Sequence, residues 1–581
     1  MENINHTHSR FNLLLSVSIL AMAFCYINAS PLILALLELL IAISCFFLFK
    51  YFNIGQLKCF QNPCPWYWKC FHWYWALYFA LTPLLNMINS GSEHIKIFDY
   101  LFPARYCLSW HSLWILLNKA FYSHCVLLAA VLLTAPLWYA FFRWLFYYTV
   151  VFFQNLSRSE WTYLIPATVL LIASLVLISS KTSFFAYPVD SENYKSEEGV
   201  VIQYQYDCNE DHFLDADTGG LLEMPFYTIG DQSRHPYFSR VISLFFPLLL
   251  ILGSIFNLFI KSYAYSFALG ISAVQVILYV ITGILIKRIY SQISNSEFSI
   301  LISVFYLCSF PVVFVLCPER LIFSSFFVVL SIYLIVFSQI ENLYISIVMF
   351  LTIGTTSLSL LPISLACLFK KKISCIVLSI LPLCLLTIHN GAQWWMSNTD
   401  HLETTGKTVS QRISSYNQLL ESCFFVSEWK AVDISKRDMI NHDGKTITIS
   451  PKIIIQNSLD KSRIRANVTG IIIFALTCLS AYYYRKETVV QVSFFWIIVS
   501  VGLVGIMGFG NSRCVLYNTY FSWAVLPLAL LPFNWLCQKG CKIPVMTILY
   551  GVAALLVVCD IYFIYQIYQI VGTRYIIPPG I

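Results

Sequence analysis

The feature that most constrains this chain is its repeated use of apolar stretches about 20 residues long. A helix of that length crosses the roughly 30 Å hydrocarbon core of a bilayer. Only 11% of the residues are charged, whereas a soluble protein carries about a quarter. One water-soluble core cannot bury so much apolar surface, but a bilayer solvates it on the outside of a helical bundle. The stretches lie near residues 11–29, 32–50, 66–86, 124–151, 161–180, 241–260, 264–286, 297–316, 321–340, 343–368, 373–389, 467–484, 489–509, 517–536 and 543–566.

These stretches predict an all-α, polytopic transmembrane bundle of about 12–14 spans with two extramembrane loops. Four parts are expected along the chain. Residues 1–155 form an accessory module of four spans, and residues 156–390 form a core with an acidic loop at 181–240. A second polar segment covers 391–466, and the C-terminal transmembrane helices follow in 467–581.

Lysine and arginine clusters predict the orientation, because cytoplasmic loops are enriched in both residues. Alternating spans place every cluster inside only if two apolar stretches do not cross. The stretch 241–260 must lie along or dip into the outer face. The stretch 343–368 must enter and return as two half-helices, broken near Gly354-Thr355-Thr356. The N-terminus is then cytoplasmic, and both polar loops face outside. The clusters are Lys287-Arg288, Lys370-Lys371-Lys372, Arg485-Lys486, and Lys539 with Lys542.

The first outer loop holds the sharpest candidate for chemistry. Eleven of the 29 acidic residues lie between Asp190 and Asp231, and most of these carboxylates are expected to be solvated. Asp215 and Asp217 stand two residues apart and suit a shared divalent cation, because such cations prefer oxygen ligands. Alternatively, one carboxylate is a general base and the other sets its pKa. No further cofactor is indicated, since the sequence has no glycine-rich phosphate loop.

The sequence Arg234-His235-Pro236 follows this loop, shortly before the apolar stretch 241–260. At the outer membrane surface it places a permanent cation and a titratable imidazole where a lipid phosphate lies. The alternative for His235 is a plain helix-entry residue before a proline. The loop therefore offers both acidic and basic groups for a reaction at the membrane surface.

The order of these features resembles the large membrane glycosyltransferases of the GT-C fold, including the protein mannosyltransferase and aminoarabinose transferase relatives, and bacterial membrane families at the edge of that group. The shared order is a span, an outer loop with an acidic residue, a His-Pro step, an apolar surface helix, a span ending in Lys-Arg, a further span, and an outer Pro-Glu-Arg step. It covers about residues 160–390. The long first outer loop departs from the family pattern, and residues 1–155 have no place in the minimal family core.

The resemblance implies a GT-C-like core and roles for individual residues. Asp217 matches the family's base or metal-assisted acceptor-binding residue, with Asp215 as the second position. His235 matches the histidine of the His-Pro step, and Glu319 matches the second outer acidic position. Enzymes of this group take sugars from polyprenyl-phosphate carriers. By charge and predicted sidedness, the candidates for contacting such a phosphate are Arg234, Arg320 and Arg513.

The second outer segment offers further candidates. Trp394 and Trp395 lie at its start, where they either anchor the chain at the interface or stack on a sugar ring. Residues 409–420 fit an amphipathic helix, and residues 446–449 alternate like a strand. Arg513 lies between two later spans, where it faces either a phosphate or the lipid headgroups.

The resemblance implies an enzyme of the bacterial inner (plasma) membrane. It moves a sugar from a polyprenyl-phosphate donor to a glycan, lipid or protein acceptor on the outer face. Membrane lipid, donor and acceptor are its expected partners, and no Lys/Arg-dense stretch indicates nucleic acid. The alternatives are a transporter or flippase of lipid-linked sugars and a non-catalytic membrane scaffold. A transporter is expected to place ionisable residues within spans or to show paired broken helices.

Overall fold

The computed structural model describes the chain in segments separated by gaps. The predicted spans 11–29 and 32–50, and the loop around Asp215 and Asp217, lie outside them. The described residues are 64–89, 135–136, 139–140, 142–179, 193–195, 201–204, 241, 245–260, 263–317, 319–337, 342–377, 379–380, 408–425, 429–433, 436–440, 446–450, 453–457, 460–508 and 517–574.

Helices account for most of the described residues. The α-helices are α1 Trp66–Asn89, α2 Arg158–Ser179, α3 Phe246–Ile260, α4 Tyr263–Tyr290, α5 Ser296–Leu307, α6 Arg320–Phe337, α7 Asn342–Thr355, α8 Leu360–Phe369, α9 Val409–Ser422, α10 Asp460–Tyr483, α11 Thr488–Ser500, α12 Asn518–Leu536 and α13 Lys542–Arg574. Short 3₁₀ helices cover Phe310–Leu316 and Ser357–Ser359, and π-helical turns cover Val501–Ile506 and Cys537–Cys541. The strands are β1 Asn193–Lys195, β2 Val201–Tyr204, β3 Trp429–Asp433, β4 Lys436–Ile440, β5 Thr446–Ser450 and β6 Ile453–Asn457.

Long apolar helices within the described residues confirm the predicted class of helical membrane protein. Six stretches are long and apolar enough to cross a bilayer, or seven when α5 and the following 3₁₀ helix count as one span bent by 55°. One of the six, Asn518–Gln569, has 52 residues, about 78 Å as a straight helix. It is broken at Gly540, whose φ of 100° is a left-handed conformation that glycine adopts without strain. Two consecutive helices, α12 and α13, therefore share this stretch.

Helices α7 and α8 form a hairpin inside the bundle. The sulfur of Met349 lies 3.5 Å from Sγ of Cys367, whereas 18 residues of continuous helix would separate them by about 27 Å. The chain turns between them through the 3₁₀ helix Ser357–Ser359. The stretch 343–368 therefore enters and returns as two half-helices, as the lysine and arginine distribution predicts.

Helix α3 lies beside only part of α4. The two backbones approach closely, since a Cβ added to Gly270 would lie 3.2 Å from the backbone nitrogen of Gly253. Because the two helices are joined at residues 261–262, the 15-residue α3 can pair only with the first half of the 28-residue α4. It therefore stops short of Lys287, and the prediction that 241–260 does not cross the membrane stays a prediction.

The basic clusters of the described residues meet at one end of the bundle. Three side-chain contacts join the helix termini beside them: Arg288 Nε to Glu160 Oε1 at 2.9 Å, Tyr290 to Ser493 at 2.8 Å, and Lys542 Nζ to Glu297 Oε2 at 2.6 Å. The α7–α8 hairpin returns Lys370–Lys372 to the end at which α7 begins. We call this the basic end, and the opposite one the far end. Such convergence is what a positive-inside topology requires.

The strands belong to the two polar segments. Strand β2, from the first segment, pairs in parallel with β5, from the second. Together they form a four-stranded sheet in the order β1-β2-β5-β4, while β3 and β6 form a separate pair. The strand expected at residues 446–449 is confirmed as β5. The sheets connect the two polar segments and leave the bundle itself helical.

Helix α9 confirms the amphipathic helix predicted for residues 409–420. It begins with a capping box, in which Gln411 N donates to Thr408 Oγ1 and Thr408 N donates to Gln411 Oε1. Val409 is 70% exposed, whereas Leu419 and Leu420 are fully buried. The C-terminal half of α9 thus enters the bundle, and part of the second polar segment belongs to the core.

Candidate functional site

Buried polar side chains form a layer at the far end, where α6, the α7–α8 turn, α9 and α12 meet. Each member is at most 7% exposed. We call this set the far-end polar layer. Its members are Glu319, Arg320, Thr355, Thr356, Ser359, Glu421, Ser422, Asn518, Tyr520 and Ser522.

Glu319 is held in place from two sides. Gln275 on α4 donates from Nε2 to the carbonyl oxygen of Glu319 at 3.1 Å and accepts from its backbone nitrogen at 3.2 Å. The Glu319 side chain in turn accepts from Leu321 N through Oε1 at 2.9 Å, satisfying a free backbone donor in the first turn of α6. A fully buried carboxylate at a helix N-terminus is favoured by the helix dipole. Glu319 therefore has a structural role whatever its chemical one.

Arg320 begins α6 and is only 4% exposed. A buried guanidinium needs a counter-charge, because an isolated charge in a low-dielectric interior costs several kcal/mol. The buried carboxylates at the far end, among the described residues, are Glu319 and Glu421. The start of α6 therefore places two of the sequence-predicted candidates, Glu319 and Arg320, in one buried layer.

The α7–α8 turn and α12 complete the layer. Ser324, one turn into α6, donates to the carbonyl of Thr355 at 3.4 Å. The Tyr520 hydroxyl lies beside the hydroxyls of Thr356 and Ser359, although no hydrogen bond of normal geometry joins them. The turn therefore presents hydroxyl groups to the start of α12.

The start of α12 concentrates polar atoms that have no hydrogen-bond partner among the described residues. Four such atoms are the Asn518 Oδ1, the Tyr520 hydroxyl, the Ser522 Oγ and the Trp523 Nε1. Buried polar groups are nearly always hydrogen-bonded, so a cluster of unsatisfied ones marks a place for water or a ligand. Sequence reasoning missed these residues; the available signal was a run of polar side chains at the start of an apolar stretch, soon after Arg513.

Helix α9 contributes a buried carboxylate that sequence reasoning also missed. Glu421 is 1% exposed, and the neighbouring Ser422 carbonyl accepts from Asn518 Nδ2 at 2.9 Å. Burial raises the pKa of the nearby Cys423 thiol well above its usual value, as is typical of buried structural cysteines. The signal for Glu421 was an acidic residue on the apolar side of an amphipathic helix.

Several sequence-predicted site residues lie outside the described residues, and for them the predictions stand as made. They are Asp215, Asp217, Arg234, His235, Trp394, Trp395 and Arg513. Within the described residues, no group of three or more His, Cys, Asp or Glu side chains is arranged to hold a metal ion. A divalent cation therefore remains assigned to Asp215 and Asp217 by their spacing alone.

The fold and the layer define a polytopic helical membrane protein with buried charged groups at one end. One solved structure with some similarity is the archaeal oligosaccharyltransferase AglB from Archaeoglobus fulgidus, in complex with an inhibitory peptide and a dolichol-phosphate. The alignment covers 69% of this chain and 52% of AglB, at 10% sequence identity and a TM-score of 0.31, so the chain spans about half of AglB's length. No family model and no curated protein matches the chain. Because so low a TM-score does not establish a shared fold, the function proposed below rests on this chain's own residues.

Proposed function

We propose that this protein is a membrane glycosyltransferase that moves a sugar from a polyprenyl-phosphate donor to an acceptor at the far end of the bundle, which faces the outer side of the membrane. The observation that carries the proposal is the far-end polar layer, where a buried Glu319 and Arg320 lie in one layer with polar atoms of α12 that have no hydrogen-bond partner among the described residues. The basic end then faces the cytoplasm, as lysine and arginine clusters favour.

The layer suits a donor that is already in the membrane. A polyprenyl chain lies among lipids, and its phosphate reaches the headgroup level, so the enzyme needs cationic and hydrogen-bonding groups at one end of its bundle. Arg320 supplies a planar donor fork that matches phosphate geometry. Buried donors aimed at a leaving phosphate stabilise developing charge more strongly than they would in water.

The proposed reaction is a single displacement at the anomeric carbon. Asp217 takes the proton of the acceptor hydroxyl as its oxygen bonds to that carbon. The bond between the anomeric carbon and the phosphate oxygen breaks, and the polyprenyl phosphate leaves with the electron pair. Arg320, together with Arg234 or Arg513, holds the phosphate charge, while Asp215 assists Asp217 directly or through a shared cation.

The decisive experiment compares surface glycans in cells that lack the native gene and produce one variant each. Asp217→Asn is expected to lower one glycan product by about a hundredfold or more, the usual effect of removing a general base. Glu319→Gln is expected to lower the same product while keeping the protein level, because the glutamine Oε1 still accepts from Leu321 N. Mass spectrometry of envelope glycans and immunoblots of the membrane fraction provide the two readouts.

Glu297→Gln is the matched control, because Glu297 is a 62%-exposed carboxylate at the basic end. It should leave the glycan profile unchanged. Unchanged glycans in Asp217→Asn cells with normal protein levels would remove Asp217 from the mechanism. Unchanged glycans in cells without any copy of the protein would overturn the function itself.

A second candidate function, transport of a lipid-linked sugar, is favoured by one observation. Asp560 is 6% exposed in the middle of α13, and its Oδ2 has no hydrogen-bond partner among the described residues. Cys308, at the 55° bend after α5, lies close to it. An ionisable residue beside a broken helix is typical of transporters. The test uses proteoliposomes that contain a polyprenyl-phosphate sugar with a fluorophore on the sugar. A transporter would move the labelled sugar to the outer leaflet, where added dithionite quenches the fluorophore, and no glycan would form.

A further inference from the structure

A cavity of about 510 Å³ opens at the basic end, far from the proposed reaction site. It lies between the start of α2, the end of α4, the start of α5 and the end of α6. Hydroxyl, amide and charged side chains make up most of its lining. Six of its lining residues are Asn155, Ser157, Lys287, Arg288, Ser296 and Ser299.

Arg288 has a structural role in this cavity. Its guanidinium donates to both carboxylate oxygens of Glu160, at 2.9 and 3.1 Å, and to the carbonyl of Asn155 at 3.2 Å. Its carbon Cζ also lies 4.8 Å from the ring centroid of Phe152. A bidentate pair of this kind is strong and specific in geometry. Arg288 therefore ties α4 to the start of α2 and forms a rigid wall.

Lys287, in contrast, is held loosely. Its Nζ lies 3.3 Å from Glu160 Oε1, 3.4 Å from Ser159 Oγ and 3.5 Å from Ser157 Oγ. Charge-assisted hydrogen bonds between an ammonium group and oxygen are normally about 2.7–2.9 Å long. Its side chain is nevertheless only 13% exposed. Lys287 is thus a largely buried ammonium group that has no short, strong partner among the described residues.

The charge and polarity of the lining favour an anion. Lys287 and Arg288 carry two positive charges against the one negative charge of Glu160, which leaves the cavity with a surplus of one. Ser296 is the first residue of α5 and Ser157 immediately precedes α2, so both lie at the positive ends of helix dipoles, which favour an anion. Serine hydroxyls supply the directional donors that an oxyanion requires.

The cavity also lies next to a lipid-facing surface. Helix α2 rises from the cavity with an exposed apolar face, on which Val169 is 61% and Leu170 63% exposed. Trp161, one turn into α2, is 38% exposed, as is typical of residues at the membrane interface. A lipid bound along α2 would place its headgroup at the cavity. Basic pockets between transmembrane helices on the cytoplasmic side bind anionic headgroups in this way.

We propose that this cavity binds the phosphate group of an anionic ligand, with Lys287 as the main cationic contact. The ligand is either an anionic phospholipid of the leaflet at the basic end or a free phosphate. The site is distinct from the proposed donor site, because it lies at the opposite end of the bundle. Occupancy of the cavity then depends on the concentration of anionic lipid or free phosphate on the side of the membrane that the basic end faces.

The test uses the full-length protein in lipid nanodiscs and compares Lys287→Gln with Lys542→Gln. Lys542 is a suitable control, because it is also at the basic end and paired with a carboxylate but is 49% exposed. Native mass spectrometry counts retained phosphatidylglycerol against phosphatidylcholine. In a second arm, inorganic phosphate is added to protein in phosphatidylcholine alone, with chloride at equal ionic strength as the reference, and thermal unfolding is measured.

We expect wild type and Lys542→Gln to retain phosphatidylglycerol, and Lys287→Gln to bind it about fivefold more weakly, the usual effect of one basic residue near anionic lipid. Stabilisation by inorganic phosphate that Lys287→Gln abolishes would support a free phosphate as the ligand. Equal responses of wild type and Lys287→Gln in both arms would overturn the proposal.

A second variant guards against an effect on folding. Ser291 lines the cavity but is exposed, so Ser291→Phe fills space without disturbing the core. It should weaken the same binding while leaving the unfolding temperature in phosphatidylcholine unchanged. Undiminished binding in Ser291→Phe would place the anion outside this cavity and contradict the proposal.

Discussion

Individual residues decide how closely the helices of this bundle approach each other. Gly470 on α10 faces Asn417 on α9, and an added Cβ would lie 2.6 Å from the Asn417 Cα and carbonyl oxygen. Backbone atoms cannot move aside as a flexible side chain can. The polar helix α9 thus packs into the bundle because a residue without a side chain stands opposite it.

Gly470→Ala is therefore expected to destabilise the protein by about 1–3 kcal/mol, the usual cost of overpacking. Gly551→Ala is the matched control, because a Cβ there meets nothing within 4 Å. Alanine also favours helix by up to about 1 kcal/mol over glycine. Thermal unfolding of the detergent-solubilised protein should show a loss for the first variant and none for the second. Equal stability of the two variants would contradict the close packing of α9 on α10.

Asp560 is an acidic residue buried in the interior of the bundle. It interrupts a stripe of buried apolar residues on α13, spaced by three and four, at Leu549, Ala553, Leu556, Phe563 and Ile567. The spacing alone places Asp560 on the inward face. Only the structure leaves its Oδ2 without a hydrogen-bond partner among the described residues.

Replacing Asp560 by leucine should raise stability by about 1–3 kcal/mol, because a buried, unsatisfied polar group costs that much. Asp560→Asn, which keeps the shape and the polarity of the side chain, should raise the stability by a smaller amount. Chemical or thermal unfolding of the two variants checks this order. A loss of stability in Asp560→Leu would mean that the carboxyl group has a partner that holds the bundle together.

At the scale of elements, hydrogen bonds of hydroxyl groups connect neighbouring helices. Such bonds matter because lipid provides no hydrophobic driving force for helix association. Ser331 on α6 and Thr352 on α7 share a hydrogen bond of 2.7 Å, and Thr352 also donates to the Phe327 carbonyl at 3.1 Å. Both residues are fully buried. These contacts hold the first half of the α7–α8 hairpin against α6.

A double-mutant cycle of Ser331→Ala and Thr352→Ala should give a coupling energy of about 0.6 kcal/mol, the average for hydrogen bonds between membrane helices. Ser331→Ala with Ser174→Ala is the control cycle, since Ser174 donates only within its own helix, to the Leu170 carbonyl. That cycle should give no coupling. Additive effects in both cycles would show that the hairpin is held by packing alone.

The elements also mark what a sequence can and cannot predict here. The α7–α8 hairpin was predictable because Lys370–Lys372 would otherwise lie on the wrong side, and charge placement is a property of sequence. The amphipathic α9 and the strand β5 were predictable from periodicity. The pairing of β2 with β5 was not, because it joins residues more than 240 positions apart through backbone atoms that every residue shares. Glu421 and the polar start of α12 were missed because burial depends on what packs against them.

At the scale of the whole molecule, the basic clusters predict that residues far apart in the sequence lie on the same side of the membrane. Lys372→Cys and Lys486→Cys should react with a membrane-impermeant thiol reagent from the cytoplasmic side only, since both lie in turns at the basic end. Val409→Cys, at the exposed start of α9, should react only from the opposite side. Mass spectrometry of the labelled peptides in intact cells and inverted vesicles separates these sites from the native cysteines. Labelling of all three from one side would contradict the topology.

The sequence by itself determined that the chain is a helical membrane protein and that it turns back between α7 and α8, because apolar length and basic charge follow directly from residue identity. Tertiary structure alone decided which polar groups are buried together: Glu319 with Gln275, Asn518 with Ser422, and Arg288 with Glu160. The reason is physical. The environment of a side chain, and with it its charge, partners and chemistry, is set by neighbours that are distant in the chain and are brought near only when the bundle packs.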